Sequence, residues 1–213
     1  MKLTFLAADG CFSSSITSLL DMFTIANMLQ ASLTGKPQPL FTTEITTLGG
    51  KPVLSSGCIQ MLAHRSLEDV NDSDFILIPP FIPLPEPTAI NSCALKEWIV
   101  AQHQQQTPVA AMCTGVFLLA ETGLLNGKAA TTNWQFARKF RRYFPEVHLH
   151  PERLVTEEDG LFCSGAATAH FNLGLRIIAR YGSKELASTC AKALLIDPNR
   201  DSQTPYFIFR REK

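Results

Sequence analysis

Short apolar runs alternate along this chain with longer segments in which apolar residues recur at helical spacing. The apolar runs predict buried strands over residues 3–8, 41–48, 75–78 and 108–112, with short strands at 154–156 and 161–164. The helical spacing predicts helices over residues 16–33, 94–104, 115–122, 135–143, 168–181 and 184–195. This alternation is typical of an α/β fold with a doubly wound, mostly parallel sheet and helices on both faces.

Composition excludes several classes of protein. The 213 residues are 46% hydrophobic and 18% charged, which is typical of a folded globular domain rather than a disordered chain. No apolar run approaches the roughly 20 residues that span a bilayer, and residues 1–9 lack a secretory apolar region. Six cysteines are scattered without C-x-x-C pairs, so we expect reduced thiols, no metal or cofactor, and a cytoplasmic location.

The balance of charge bears on nucleic-acid binding. Nineteen basic residues match 19 acidic residues, so the formal net charge is zero. A surface that binds DNA phosphates usually appears as a basic excess, and a solvated helix face accounts for the one basic cluster, at residues 138–142. We therefore expect the chain alone to bind DNA negligibly, without the steep salt dependence that phosphate contacts produce.

The most informative segment for chemistry follows the predicted strand at 108–112. Cys113 ends this strand, and Gly115 allows a tight turn before an apolar helix begins. This arrangement is typical of a nucleophile elbow, in which the helix dipole lowers the pKa of the thiol. We therefore expect Cys113 to be the most readily alkylated or oxidised of the six thiols, provided the pocket is open to solvent. The alternative is a buried thiol that serves packing alone.

The same segment carries a longer motif. It comprises Cys-Thr-Gly at 113–115, Leu-Leu-Ala-Glu-Thr-Gly-Leu-Leu-Asn-Gly at 118–127, Ala-Thr-Thr-Asn-Trp at 130–134 and Phe-Pro at 144–145. Together with residues 21–27, 159–164 and 203–206, the motif resembles AraC-type transcriptional regulators of the GlxA kind. The N-terminal half of those regulators is a class I glutamine amidotransferase-like domain, with flavodoxin-like layers, related to the ThiJ/PfpI superfamily.

The resemblance implies three departures from the enzymes of this superfamily. The histidine of their Ala-Thr-Thr-His-Trp motif falls on Asn133, whose amide cannot accept a proton at neutral pH. The acid of the first loop aligns near Ser15. Their Pro-Gly-Gly loop becomes Pro79-Pro80-Phe81, and Pro80 has no N–H to donate to an oxyanion. The resemblance therefore predicts a pocket around Cys113 that lacks the catalytic base, the acid and one oxyanion donor.

Two further residues belong to this predicted pocket. His170 stands near the start of a helix, where it could replace the missing base, although a helix-surface or capping role is commoner. Trp134 is expected to pack against the sheet, with lining of the pocket as the alternative. The predicted ligand pocket is formed by Ser15, Pro80, Phe81, Cys113, Thr114, Asn133, Trp134 and His170, and none of them is assigned a catalytic role.

These observations favour a non-catalytic domain, residues 1–198, that senses a small-molecule effector and forms homodimers in an AraC-family regulator. Residues 199–213 would be a linker or docking strand that leads to a C-terminal helix-turn-helix domain absent from these 213 residues. The match at residues 203–206, followed at once by the chain end, favours a chain cut from a longer protein over a free-standing homologue. DNA would be bound only through that domain, and no membrane is involved. The alternatives are a cysteine-dependent hydrolase or hydratase of the ThiJ/PfpI type and a redox sensor that uses Cys113.

Overall fold

The computed structural model describes residues 1–82, 92–166 and 168–208, and within them it contains strands and helices in alternation. The strands are β1 (Lys2–Leu6), β2 (Thr42–Thr47), β3 (Val53–Leu54), β4 (Gln60–Met61), β5 (Arg65–Ser66), β6 (Phe75–Ile78), β7 (Val109–Met112), β8 (Ala129–Ala130), β9 (His148–Leu149), β10 (Val155–Glu158) and β11 (Leu161–Ser164). The helices are α1 (Ser13–Thr34), α2 (Ser92–Gln104), α3 (Gly115–Glu121), α4 (Ala137–Tyr143), α5 (Ala169–Tyr181) and α6 (Lys184–Ala193).

A central sheet with the strand order β10-β11-β7-β6-β1-β2-β5 organises the described residues. All neighbouring pairs are parallel except β10 with β11, at one edge. Strands β6, β7 and β11 are buried at every position, because helices cover both sides of a parallel sheet and apolar residues then suit both faces. The predicted doubly wound α/β fold is confirmed.

The strand order determines where the helices lie. The chain passes from β1 to β2 in one direction along the sheet and from β6 to β7 in the other. Because crossovers between parallel strands are right-handed, α1 and α2 lie on opposite faces. Helix α1 packs against α5 and α6, whereas α2 packs against α3. The reversal between β1 and β6 is the point at which folds of this kind usually bind ligands, beyond the carboxyl ends of the strands.

Several local features differ from the sequence prediction. The short strands β3, β4, β5, β8 and β9 were not predicted, because two residues are too few to show a hydrophobic period. The helix predicted from residue 135 starts as a 3-10 turn at Trp134–Phe136 and becomes α4 only at Ala137. Residues 83–91, which follow Pro79-Pro80-Phe81, and the end of the tail, residues 209–213, lie outside the described residues. In the described part of the chain, no helix is both long and apolar enough to cross a bilayer.

The described part of the tail, residues 199–208, lies on the domain. Ser202 forms an isolated bridge with Arg153, Leu154 N–H donates to the carbonyl of Asp201, and Gln203 N–H donates to the carbonyl of Glu152. These contacts attach the tail beside β10, so the packed region continues past residue 198.

Candidate functional site

Cys113 lies in the tight turn between β7 and α3. Its φ of 52° is in the left-handed region that residues other than glycine rarely adopt. Its N–H donates to the carbonyl of Ser164 at 2.8 Å, and its own carbonyl accepts a hydrogen bond from Thr132 Oγ1 at 2.6 Å. Strand β11 and the loop after β8 therefore hold the backbone in the strained turn that a nucleophile elbow requires.

Gly115 allows this turn to approach the end of β6. A Cβ atom built on Gly115 would lie 2.3 Å from the carbonyl oxygen of Pro79 and 3.1 Å from that of Ile78. No side chain fits in this space, so the start of α3 can press against the loop that follows β6. This contact brings Thr114 to the backbone of Phe81.

The side chain of Cys113 is only 7% exposed. Its thiol is therefore less accessible than those of Cys58 and Cys93, which are exposed. The sequence predicts a reactive Cys113 on the condition that its pocket is open to solvent. In this conformation, access would limit the reaction of Cys113 with alkylating reagents.

The hydroxyl of Thr114 forms hydrogen bonds with the backbone of the loop after β6. Its Oγ1 donates to the carbonyl of Phe81 at 2.9 Å and accepts from the N–H of Phe81 at 2.8 Å. Pro80, the residue before, has no N–H. The loop thus lacks one candidate oxyanion donor at Pro80. The next candidate, the N–H of Phe81, already donates to the hydroxyl of Thr114.

Ser15 and Pro80 meet through the backbone of Phe12. The N–H of Phe12 donates to the carbonyl of Pro80 at 2.8 Å, and Ser15 Oγ donates to the carbonyl of Phe12 at 2.8 Å. Ser15 is fully buried in the first turn of α1. Its hydroxyl therefore stabilises the start of this helix.

Asn133 acts as a helix cap. Its Oδ1 accepts from the N–H of Gln135 at 3.0 Å at the start of the 3-10 turn. The preceding residue, Thr132, makes the contact with the carbonyl of Cys113 described above. Asn133 thus directly follows the residue that contacts the Cys113 turn, and its own side-chain oxygen accepts a hydrogen bond from the local backbone.

Trp134 does not show the expected packing on the sheet. Its ring lies 5.4 Å from that of Phe207, between centroids, and lines a cavity of about 180 Å³ together with Gln203 and Tyr206 of the tail. The sequence predicts the tail as a linker or docking strand and names no partner for this indole ring.

His170 is buried rather than on the helix surface, which corrects the expectation of an exposed or capping role. Only 6% of the residue is exposed, and its Nε2 lies 2.9 Å from Ser18 Oγ of α1. Its ring packs on that of Phe171, with the centroids 4.3 Å apart. The imidazole thus connects α5 to α1, the helix that also carries Ser15.

Some of the predicted pocket residues are linked to one another, whereas Trp134 lies against the tail and His170 lies against Ser18. Contacts join Thr114 to Phe81 and Pro80 to Ser15 through Phe12, and Thr132 connects the Asn133 segment to Cys113. The side chains of Ser15, Thr114 and Asn133 bind backbone groups in these contacts. Among the described residues, no group of three His, Cys, Asp or Glu side chains could hold a metal ion.

Comparison of the sequence with models of protein families identifies the family of this chain. The model of the DJ-1/PfpI family matches residues 1–180. The chain belongs to the DJ-1/PfpI family.

Relatives within and around the DJ-1/PfpI family differ in function. The HTH-type transcriptional regulator CdhR of Pseudomonas aeruginosa is 26% identical over 203 residues, which are 93% of this chain and 57% of CdhR. Isonitrile hydratase of Pseudomonas putida is 31% identical over 127 residues, 59% of this chain and 53% of the hydratase. The crystal structure of an AraC family transcriptional regulator from Pseudomonas putida matches with a TM-score of 0.76 over 91% of this chain and 98% of that one; at 16% identity it shows the fold alone. The chain spans about half the length of the curated regulators it matches.

Gln203 lies beyond the residues that match the DJ-1/PfpI model, yet it is 2% exposed. Its Nε2 lies 3.0–3.2 Å from four oxygens, those of the Thr131 hydroxyl and of the carbonyls of Thr132, Pro151 and Arg153. Its Oε1 accepts from the N–H of Ala166 at 2.7 Å. The tail therefore supports the loop that holds Cys113. The match at residues 203–206 was the sequence signal for this role.

The other buried thiols of this DJ-1/PfpI domain are poor nucleophiles. Burial raises the pKa of Cys163 to about 12 and also raises the pKa values of Cys11 and Cys190. Since the thiolate is the reactive form, these three side chains serve packing.

Proposed function

We propose that this chain is the effector-sensing and dimerisation domain of an AraC-family transcriptional regulator, without catalytic activity of its own. Its relatives include the transcriptional regulators CdhR and GbdR of Pseudomonas aeruginosa, which it matches over 93% of its length. Because the chain spans about half of each, DNA binding is assigned to a further, C-terminal domain. Such a regulator would act in the cytoplasm.

One contact carries the non-catalytic part of this proposal: the hydrogen bond between the Phe81 N–H and Thr114 Oγ1 at 2.8 Å. An oxyanion site needs free N–H donors directed at the reacting oxygen, and removal of one donor typically lowers the rate about 100- to 1,000-fold. Here Pro80 lacks a donor and Phe81 has already used its own. The resemblance aligns Asn133 with the histidine of the related enzymes, and its amide cannot accept a proton, which would add to this loss.

The alternative function is a cysteine-dependent hydrolase or hydratase. The strained turn at Cys113, with a φ of 52°, favours it, because such a turn presents a nucleophile at the end of a strand. The similarity to isonitrile hydratase points the same way. We interpret the turn as a scaffold retained for ligand binding at the predicted pocket.

The two functions differ in an activity measurement. We expect no turnover of amide, isonitrile or glyoxal substrates by the chain, because Pro80 has no N–H to donate, Thr114 already uses the N–H of Phe81, and the amide of Asn133 cannot accept a proton. The comparison uses Cys113→Ala, with Cys93→Ala as the control for loss of an exposed thiol. Turnover that disappears in Cys113→Ala and persists in Cys93→Ala would establish the enzyme instead.

The dimer is proposed to form through an exposed apolar patch. The patch comprises Leu54, Ile59, Leu62 and Ile82, each more than half exposed. Backbone hydrogen bonds bring two of them together, since Gly10 N–H donates to the carbonyl of Leu54 and Ile82 N–H donates to that of Gly10. The occupant is a second copy of this chain, because a regulator that reads paired half-sites matches their two-fold symmetry.

We expect the chain to be a dimer at tens of micromolar and expect Leu62→Glu to weaken the dimer at least about tenfold, because a charge would be buried in an apolar interface. Analytical ultracentrifugation gives the dissociation constant. Leu195→Glu is the control, since Leu195 is also exposed and lies outside the patch. A single 23.5 kDa species for the unmodified chain would exclude the dimer.

A further inference from the structure

A second cavity lies away from Cys113, between α5, α6, the start of β10 and the tail. Its volume is about 700 Å³, within the range of small-molecule sites. Four basic side chains line it, those of Arg153, Arg176, Lys184 and Arg200. Asp201 is the one carboxylate among its described lining residues. The cavity is therefore strongly basic in a chain whose net charge is zero.

None of these four cations forms an ion pair within the described part of the chain. Two acids that do not line the cavity have other partners. Glu157 of β10 pairs with Arg180, and Asp197 Oδ1 accepts from the N–H of Asn199. Four like charges around one concave surface repel one another, and a bound anion would relieve that repulsion.

Arg200 is the most constrained of the four. Its two terminal nitrogens donate to Thr168 Oγ1 at 3.1 Å and to Asn172 Oδ1 at 2.7 Å, both neutral oxygens. Its Nε is buried and has no hydrogen-bond partner among the described residues. Burying an N–H group without an acceptor costs free energy of folding, and so does burying a guanidinium without a carboxylate. A bound anion would reduce both costs. Arginine held in this way is a typical receptor for carboxylate or phosphate groups.

The remainder of the cavity is apolar. Leu154, Leu175, Ala179 and Ala187 provide its hydrocarbon surface. We propose that this cavity binds a small organic anion, with its carboxylate or phosphate group at Arg200 and its apolar portion on these side chains. Lys184 and Arg176, at the open side, would attract the anion.

The location of this site connects the ligand to the tail. Arg200 and Asn199 belong to the tail, and Gln203 follows three residues later. A ligand held jointly by the tail and α5 would stabilise the docked tail, because a molecule that binds one state shifts the equilibrium towards it. Only this regulatory role rests on the proposed function; the binding site does not.

The test measures binding to the full chain by isothermal titration calorimetry. The probes are benzoate, inorganic phosphate and benzyl alcohol, the neutral counterpart of benzoate. We expect saturable binding of benzoate at millimolar concentration and at least about tenfold weaker binding of benzyl alcohol. Binding of phosphate as well would identify the anionic group, rather than the apolar portion, as the main determinant.

Two variants locate the site. Arg200→Gln is expected to weaken benzoate binding about tenfold or more, and the double variant Arg176→Gln/Lys184→Gln about threefold or more, with Arg142→Gln on α4 as the unaffected control. The double variant alters exposed residues, so it still locates the site if Arg200→Gln does not fold. Equal benzoate affinity in all variants, equal affinity for benzyl alcohol, or no binding of either anion at about 10 mM would overturn the proposal. These results leave the regulator assignment intact, and turnover at Cys113 would leave this site intact.

Discussion

Replacing Gln203 with alanine is expected to lower the free energy of unfolding by about 3–4 kcal/mol, because it leaves buried polar groups without partners. The Nε2 of Gln203, with two N–H groups, lies within hydrogen-bond distance of the carbonyls of Thr132, Pro151 and Arg153, and its Oε1 accepts from the N–H of Ala166; the residue is 2% exposed. Each unsatisfied buried group typically costs about 1–3 kcal/mol. Urea unfolding at a fixed protein concentration measures the change.

Gln203→Glu adds a pH dependence to this prediction. A carboxylate cannot donate to the surrounding carbonyl oxygens, whereas a protonated carboxyl can, so the folded state raises the pKa of the introduced group. Stability linked to a raised pKa is fully present below the unfolded value, near 4.3, and is lost as the pH rises through the folded value. We therefore expect Gln203→Glu to be less destabilising, relative to the unmodified chain, at about pH 5 than at about pH 8.

Gln105→Ala is the matched control for Gln203, since Gln105 is an exposed glutamine just after α2. Its expected effect is within about 0.5 kcal/mol, as for most surface substitutions. Equal stability of Gln203→Ala and Gln105→Ala would mean that the tail does not remain docked in solution.

Gly115→Ala is expected to destabilise the domain by about 3 kcal/mol or more, or to prevent folding, because a methyl group has no space at the start of α3. The added Cβ would lie 2.3 Å from the carbonyl oxygen of Pro79, which belongs to the backbone and cannot rotate away. Relief of this clash requires α3 to move away from the end of β6. Thermal and urea unfolding, followed by circular dichroism, measure the loss.

Gly123→Ala provides the comparison for Gly115→Ala. Gly123 has a φ of +78° with nothing within 4 Å of the added Cβ atom, so only backbone strain of about 1 kcal/mol is expected. A larger effect at Gly123 than at Gly115 would contradict the account of the elbow given above.

The sequence predicts the sheet and the elbow because their signals are local. The apolar runs at β6 and β7 have no polar interruption, and Cys113 and Gly115 follow β7 directly. The departures at Pro80 and Asn133 are likewise evident in the motif itself. Their consequences for chemistry follow from the absence of an N–H in proline and of a basic nitrogen in asparagine.

Long-range contacts were beyond prediction. The hydrogen bond between His170 and Ser18 joins residues 152 positions apart, and the pairing of Thr114 with Phe81 depends on how closely two loops approach. The ring of Trp134 lies on Phe207, in a tail that the sequence predicts as a linker or docking strand without indicating where it docks. The periodicity of apolar residues predicts helices and strands but not such contacts, because the contacts depend on how elements distant in the chain pack together.

The position of Gln203 also sets an order of events during translation. Its amide reaches Thr131, a residue synthesised 72 positions earlier. Domains begin to fold from their N-terminal part as they emerge from the ribosome, so the sheet can assemble while the carbonyls around Thr132 still lack this donor. A nascent chain that has exposed α6 but not residue 203 would therefore carry a complete sheet and an unsupported Cys113 turn. The Cys113 turn gains its full set of supporting contacts only when Gln203 has been made.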